Sequence, residues 1–214
     1  MLMHEDLVPP DQLNGHDLSK VGWKTEYDVV STLRKLGHDV RPLGVRSDLG
    51  VIRTAIEDWR PHIAFNLLEE FDGVSVYDQN VVSYLELLHV PYTGCNPRGL
   101  MLARDKALTK KVLSYHRIPY PEFIVVPQGR SVKRPKDLAF PLIVKSISEE
   151  ASLGISQASI VEDDEKLKER VAFIHQSIGT GALVERYIEG REFYVRSEEH
   201  TSELQSRETI SYAV

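Results

Sequence analysis

The strongest constraint on this chain is the alternation, over its first 93 residues, of amphipathic helical stretches with short apolar runs. Lys24 to Leu36 brings Tyr27, Val30, Leu33 and Leu36 near one face at helical spacing, and Gly37 supplies a stop. His38 to Val45 reads as a short extended segment. Leu49 to Trp59 is a second amphipathic helix through Ile52, Ala55, Ile56 and Trp59. Ile63-Ala64-Phe65-Asn66-Leu67-Leu68 is a short apolar run of the kind that forms a strand buried on both faces. Asp78 to Leu88 is a third helix, and Pro91-Tyr92-Thr93-Gly94 breaks the chain. Such an order predicts a doubly wound α/β layer with a parallel sheet. Met1-Leu2-Met3 reads as the last turn of an opening strand, and a sheet missing most of that strand would expose an edge. The reading therefore expects a clipped N-terminus.

Beyond Gly94 the rhythm changes. Arg104 to Tyr115 is a basic helix, followed by strands at Phe123 to Val126, Phe140 to Lys145 and Ile155 to Ile160. Asp163 to Gln176 is a helix, and Ala182 to Ile188 and Glu192 to Val195 are two further strands. Because strands and helices no longer alternate strictly, this half is α+β. The expected domains are 1–93, a doubly wound layer, and 94–195, a partial second domain.

Residues 196–214 read differently. Back-translated, Arg196 to Ser206 resembles a common short-read sequencing adapter, and Ile210 to Val214 resembles its continuation beyond a variable index. The segment is set aside here as a non-native tail.

Charge and cysteine content narrow the function classes. Twenty-six Lys and Arg against 32 Asp and Glu give a formal net charge of −6, without the basic excess that general phosphate-backbone binding needs. No apolar run approaches the roughly 20 residues of a membrane span. A lone cysteine, Cys95, excludes an internal disulfide framework and suits a reducing cytosol. The eight histidines show no metal-ligand spacing. The expectation is a cytoplasmic protein with no nucleic-acid or membrane partner.

Three groups of residues could carry chemistry. Lys145 closes an apolar strand and is followed by a polar loop with serines and Gly154, a combination that can hold a phosphate through an ammonium and loop donors. It lacks the Gly-Lys-Ser/Thr ending of a Walker A loop. Lys106 and Lys110 form an i, i+4 pair on one helix face that would attract an anion. In Leu183 to Phe193, period-2 alternation puts Glu185, Tyr187 and Glu189 on one face and Val184, Arg186 and Ile188 on the other. Glu69-Glu70 follows the Ile63–Leu68 run, at the strand end where α/β sites collect.

In this order and spacing the motifs resemble the ATP-grasp carboxylate–amine ligases, and within them the D-alanine–D-alanine ligases. The resemblance rests on Pro91-Tyr92-Thr93-Gly94, Asp105-Lys106, Pro141-Leu142-Ile143-Val144-Lys145, Gly154-Ile155-Ser156 and Glu185 with Gly190-Arg191-Glu192-Phe193. It implies that residues 1–93 are a preATP-grasp layer and 94–195 an incomplete ATP-grasp domain. It implies ATP and magnesium as cofactors, a small amino-acid substrate and a homodimer. Lys106 and Lys145 would meet the ATP phosphates, and Ser152 would be a donor in a closing loop. Glu185, Arg186 and Ile188 would line the adenine slot, and Glu192 would accept from the ribose hydroxyls. Glu150 and Ala151 depart from the family's glycine and serine, placing a negative charge near the phosphates. The family's magnesium carboxylates and oxyanion arginine would lie downstream of Val195, so no catalytic residue and no metal ligand is assigned within 1–195. On this reading the chain is an inactive fragment of a ligase acting through an acyl phosphate. The same residues suit a non-catalytic ATP-binding module, or a ligase for another amino acid or a peptide.

Overall fold

The computed structural model describes residues 1–12, 17–148, 156–191 and 193. Of the strand expected at Glu192 to Val195 only Phe193 is among the described residues, and the tail 196–214 lies outside them.

The first half builds a small parallel sheet. β1 (Leu2–His4) pairs with β2 (Leu43–Val45) in the register Leu2↔Leu43, Met3↔Gly44 and His4↔Val45. Backbone packing is tight here, since a Cβ on Gly44 would lie 2.8 Å from Glu5 Cα. The Ile63–Leu68 run joins the other side of β1 through Leu2 N to Phe65 O (2.8 Å) and Leu67 N to Leu2 O (2.9 Å). It reaches the next segment through Ala64 N to Pro91 O (2.8 Å) and Thr93 N to Ala64 O (3.0 Å). These are isolated bridges, not the full strand expected. Asn66 explains the difference: its side-chain oxygen accepts from Leu68 N (3.1 Å), and its own N–H donates to the Thr93 hydroxyl (3.0 Å). Such side-chain bonds compete with the ladder.

Helices cover both faces of this sheet. α1 (Lys24–Lys35) packs Val30, with Val29 and Leu33, against Met1 and Met3. α2 (Gly50–Trp59) and α3 (Asp78–Leu87) pack Ile52, Val81 and Leu85 against Leu2, Val45, Ala64 and Leu68. Each fully buried aliphatic side chain contributes about 1.5–3 kcal/mol. Leu36, expected on the buried face of α1, is exposed because the helix has already ended there. Glu26 is buried in its place, in the first turn, where the helix dipole favours a carboxylate.

The second half forms an antiparallel sheet of order β3-β6-β4-β5, from β3 (Phe123–Val126), β4 (Leu142–Ser146), β5 (Ile160–Val161) and β6 (Ala182–Arg186). Part of the segment expected as a strand up to Ile160 is a 3-10 turn at Gln157–Ser159, because the Ser159 hydroxyl accepts from Ser156 N (3.0 Å) and curls the chain. α6 (Asp164–Phe173) starts on Asp163, whose carboxylate accepts from Lys166 N (2.8 Å). Leu142, Val144, Ala182 and Val184 face Leu167, Val171 and Ile174 in one core. Strand alternation sends Lys145, Leu183 and Glu185 to the opposite face.

The helix expected over Arg104 to Tyr115 begins at Lys106, and a further, unexpected helix precedes it and ends at Arg104. α4 (Pro97–Arg104) begins with Asn96 accepting from Gly99 N (2.9 Å) and proline at its first position. Asp105 leaves helical geometry and caps α5 (Lys106–Tyr115) by accepting from Leu108 N (2.8 Å). The break separates two jobs. Arg104 Nη2 donates to Asp78 Oδ2 (2.7 Å) and to Glu69 O (2.8 Å), and its Nε also donates to Asp78 (3.1 Å). Lys106 N donates to Ile147 O (3.4 Å), just past β4. The chain thus fastens to the first layer at Arg104 and to the second sheet at Lys106.

Both Arg104 and Asp78 are buried, so removing one strands the other. Arg104→Met is expected to lower unfolding free energy by about 3 kcal/mol, read from the urea midpoint with the same variant compared at two salt concentrations. A loss below about 0.5 kcal/mol would mean that the pair does not fasten the layers.

Candidate functional site

On the face of the second sheet opposite α6, one carboxylate gathers two lysines. Glu185 lies in the central strand β6, between Phe123 of β3 and Ile143 of β4. It is buried, with a side-chain exposure of 7%. Lys145 Nζ, from β4, is 2.6 Å from Glu185 Oε1, and Lys110 Nζ, from α5, is 2.8 Å from Oε2. Lys110 also lies over the rings of Phe123 and Tyr120, at 5.7 and 6.0 Å from their centroids. Aromatic faces favour a cation at such distances. Burial alone would push the Glu185 carboxyl up. Hydrogen bonds and charge from Lys110 and Lys145 outweigh it, and the group sits below the ordinary 4.5.

The neighbouring backbone is tied down. Ser146 and Thr180 share a hydroxyl–hydroxyl bond of 2.8 Å, and Ile147 N donates to Gly181 O (3.1 Å). The N-terminus of α5 meets this strand end through the Lys106–Ile147 bond, so the positive end of a helix dipole lies beside the exit of β4. A cavity of about 210 Å³ opens here, lined by Val76, Gln79, Met101, Arg104, Asp105, Ile147 and Ser148. It is bounded by both halves of the chain.

Of the residues singled out from the sequence, Lys145 and Glu185 are brought into direct contact, and Lys106 is placed at the start of the helix that supplies Lys110. Arg186 and Ile188 are exposed at and beyond the end of β6. The Arg186 N–H donates to Glu122 O (2.9 Å). Ser152 and Glu192 lie outside the described residues. The expected Lys106–Lys110 anion pair divides, since Lys110 is committed to Glu185. Its spacing was visible in the sequence; its carboxylate partner, 75 residues away in the chain, was not. Arg104 opens the basic Arg104-Asp105-Lys106 run that the sequence singles out for an anion, but it is held by Asp78, which gives no local signal. Glu70 pairs with His4 at 3.4 Å, while Glu69 contributes its carbonyl to Arg104. Cys95 is exposed. Among the described residues, no group of three or more His, Cys, Asp or Glu side chains could hold a metal ion, and no helix is long and apolar enough to cross a membrane.

The chain thus combines a parallel layer with an antiparallel sheet whose strand lysine and carboxylate meet a lysine of α5. The chain is 34% identical over 171 residues to a D-alanine–D-alanine ligase of Desulforudis audaxviator, covering 77% of this chain and 52% of that protein. It is 33% identical over 175 residues to the uncharacterized protein y4sG of Sinorhizobium fredii, covering 78% and 49% respectively. The crystal structure of a D-alanine–D-alanine ligase from Bacillus anthracis complexed with ATP superposes with a TM-score of 0.65 at 23% identity, over 88% of this chain and 58% of that one. No family model matches. The chain is similar in sequence to D-alanine–D-alanine ligases, and it spans about half the length of the curated relatives it matches.

Because the Glu185 carboxyl is lowered in the folded state, its stabilising charge is present above about pH 4.5 and is lost as pH falls through the lower folded value. Glu185→Gln is expected to flatten that acid limb. It should also cost about 3 kcal/mol at pH 7 by leaving two lysines unopposed. Thermal melts of both proteins from pH 3 to 7 check this, and parallel acid limbs would refute it.

Proposed function

We propose that this chain supplies the nucleotide-binding part of an ATP- and magnesium-dependent ligase that joins a carboxylate to an amine, of the D-alanine–D-alanine ligase type. The observation that carries the reading is the lysine–carboxylate–lysine cluster, in which Lys145 and Glu185 are the residues that the resemblance assigns to the phosphates and the base. The donor set fits a nucleoside triphosphate. Lys145 stands at the strand exit with Lys106 at the facing helix end, so cationic and backbone donors converge where phosphates would lie. Glu185 is an ionised acceptor at the inner end, and the segment leading to Ile188 runs outward beside it, with the Arg186 and Tyr187 N–H groups already given to Glu122 O (2.9 Å) and Pro141 O (3.0 Å). Ser152 and Glu192 are assigned to phosphate and ribose on the resemblance alone.

In the whole protein, a substrate carboxylate would attack the γ-phosphorus and take the phosphoryl group, releasing ADP. An amine would then add to the acyl carbon, and phosphate would leave as the amide forms. The part of this chain in that sequence is to bind and orient the triphosphate, fixing the phosphoryl group before the attack. The described residues do not assemble a magnesium site, and no step is assigned through the metal. We further propose residues 1–93 and 94–195 as preATP-grasp and ATP-grasp units, a small amino acid as substrate, and a homodimer acting in the cytoplasm.

Isothermal titration of the 214-residue chain with ATP is expected to show one site, weakened about tenfold or more by Lys145→Met. The whole protein is expected to release phosphate from ATP in the presence of D-alanine. A chain that binds no ATP would remove the nucleotide reading. ATP binding with no phosphate release for any amino acid or dipeptide would leave a non-catalytic module instead.

A further inference from the structure

Glu185 has two ammonium groups where one would balance its charge, and the two are not equivalent. Lys110 is the more enclosed, with a side-chain exposure of 13% against 27% for Lys145. It is packed over Phe123 and Tyr120, on a helix anchored at both Asp105 and Ile147. Lys145 is the penultimate residue of β4, beside the strand exit that meets the N-terminus of α5. A buried carboxylate with a single partner holds that partner fast, since losing it strands an uncompensated charge. A buried carboxylate with two partners can release one and stay balanced.

We propose that Lys110 is a positioning residue that frees Lys145: it keeps Glu185 compensated while the Lys145 ammonium turns from the carboxylate to the phosphate oxygens of a bound nucleoside triphosphate. This rests on the nucleotide reading above. Lys110 touches no phosphate itself and acts through Glu185. The triad carries one net positive charge before binding, so the released lysine brings a full charge to the phosphates and leaves a neutral Lys110–Glu185 pair behind. The exchange matters only for a ligand with phosphates. A nucleoside would occupy the base slot without moving Lys145.

The test compares ATP with adenosine on the 214-residue chain by equilibrium dialysis, for the unsubstituted protein, Lys110→Met and Lys110→Arg. Lys110→Met is expected to weaken ATP on the order of 10- to 100-fold while changing adenosine less than about threefold, and Lys110→Arg to restore most of the ATP affinity. Equal loss of both ligands, or unchanged ATP affinity, would overturn the proposal. Should Lys110→Met fail to fold, nitrogen NMR of the lysine ammonium groups in the unsubstituted chain decides. ATP should shift the Lys145 resonance and leave Lys110 in its ion pair, and a shift confined to Lys110 would refute the exchange. If the unsubstituted chain binds neither ATP nor adenosine, the nucleotide reading itself falls. If it binds both but Lys110→Met behaves like it, only the exchange falls.

Discussion

A carboxylate in the middle of a sheet has to be answered by charge, and much of the second half of this chain is arranged around that need. Glu185 occupies a central strand position where an apolar residue would be expected, with neighbours on both sides and a helix across its face. Desolvation would favour protonation. Two ammonium groups reverse the balance, and each comes from a different element, so the carboxylate fixes α5 against β4 and β6 together. The other face of the same strands is largely apolar and packs on α6. The sheet therefore has one mostly dry face that provides cohesion and one face that carries the charged cluster.

This division explains why the charged face can be held in place without being buried out of use. The dry face, with Leu142, Val144, Ala182 and Val184, positions the strands whatever happens on the other side. Ser146 with Thr180, and Ile147 with Gly181, hold the strand exit. Side chains can thus exchange partners on the charged face while the backbone beneath them stays fixed, as a preorganised binding site requires.

The sequence reveals different parts of this architecture with different clarity. Helices α1, α2, α3 and α6 are legible because each carries a helical apolar period and a stop or cap nearby, such as Gly37 or Asp163. The strands Phe123–Val126 and Ala182–Arg186 are legible from composition and alternation. Ile63–Leu68 reads as a strand and makes only isolated bridges, because the Asn66 side-chain oxygen takes the Leu68 N–H and the Thr93 hydroxyl takes the Asn66 N–H that a ladder would have used. The break at Asp105 is hidden inside a continuous helical pattern, since an aspartate can sit mid-helix or cap, and only the contacts of its neighbours decide. For the site, Lys145 and Glu185 stand out by their place at strand ends and in alternating runs. Their pairing does not, because it depends on register between β4 and β6, which distant residues set. Lys110 is visible as one of a pair, yet the partner that redirects it is in another strand.

The three residues from Arg104 to Lys106 have a consequence for how the molecule comes apart. On one side Arg104 balances a buried aspartate and a carbonyl of the first layer, and on the other Lys106 completes a backbone bond at the edge of the second sheet. Unfolding either half alone would strip a buried charge or a backbone amide in the other of its partner, at a cost the surviving half must bear. The two cores are therefore thermodynamically coupled through a stretch shorter than one helical turn.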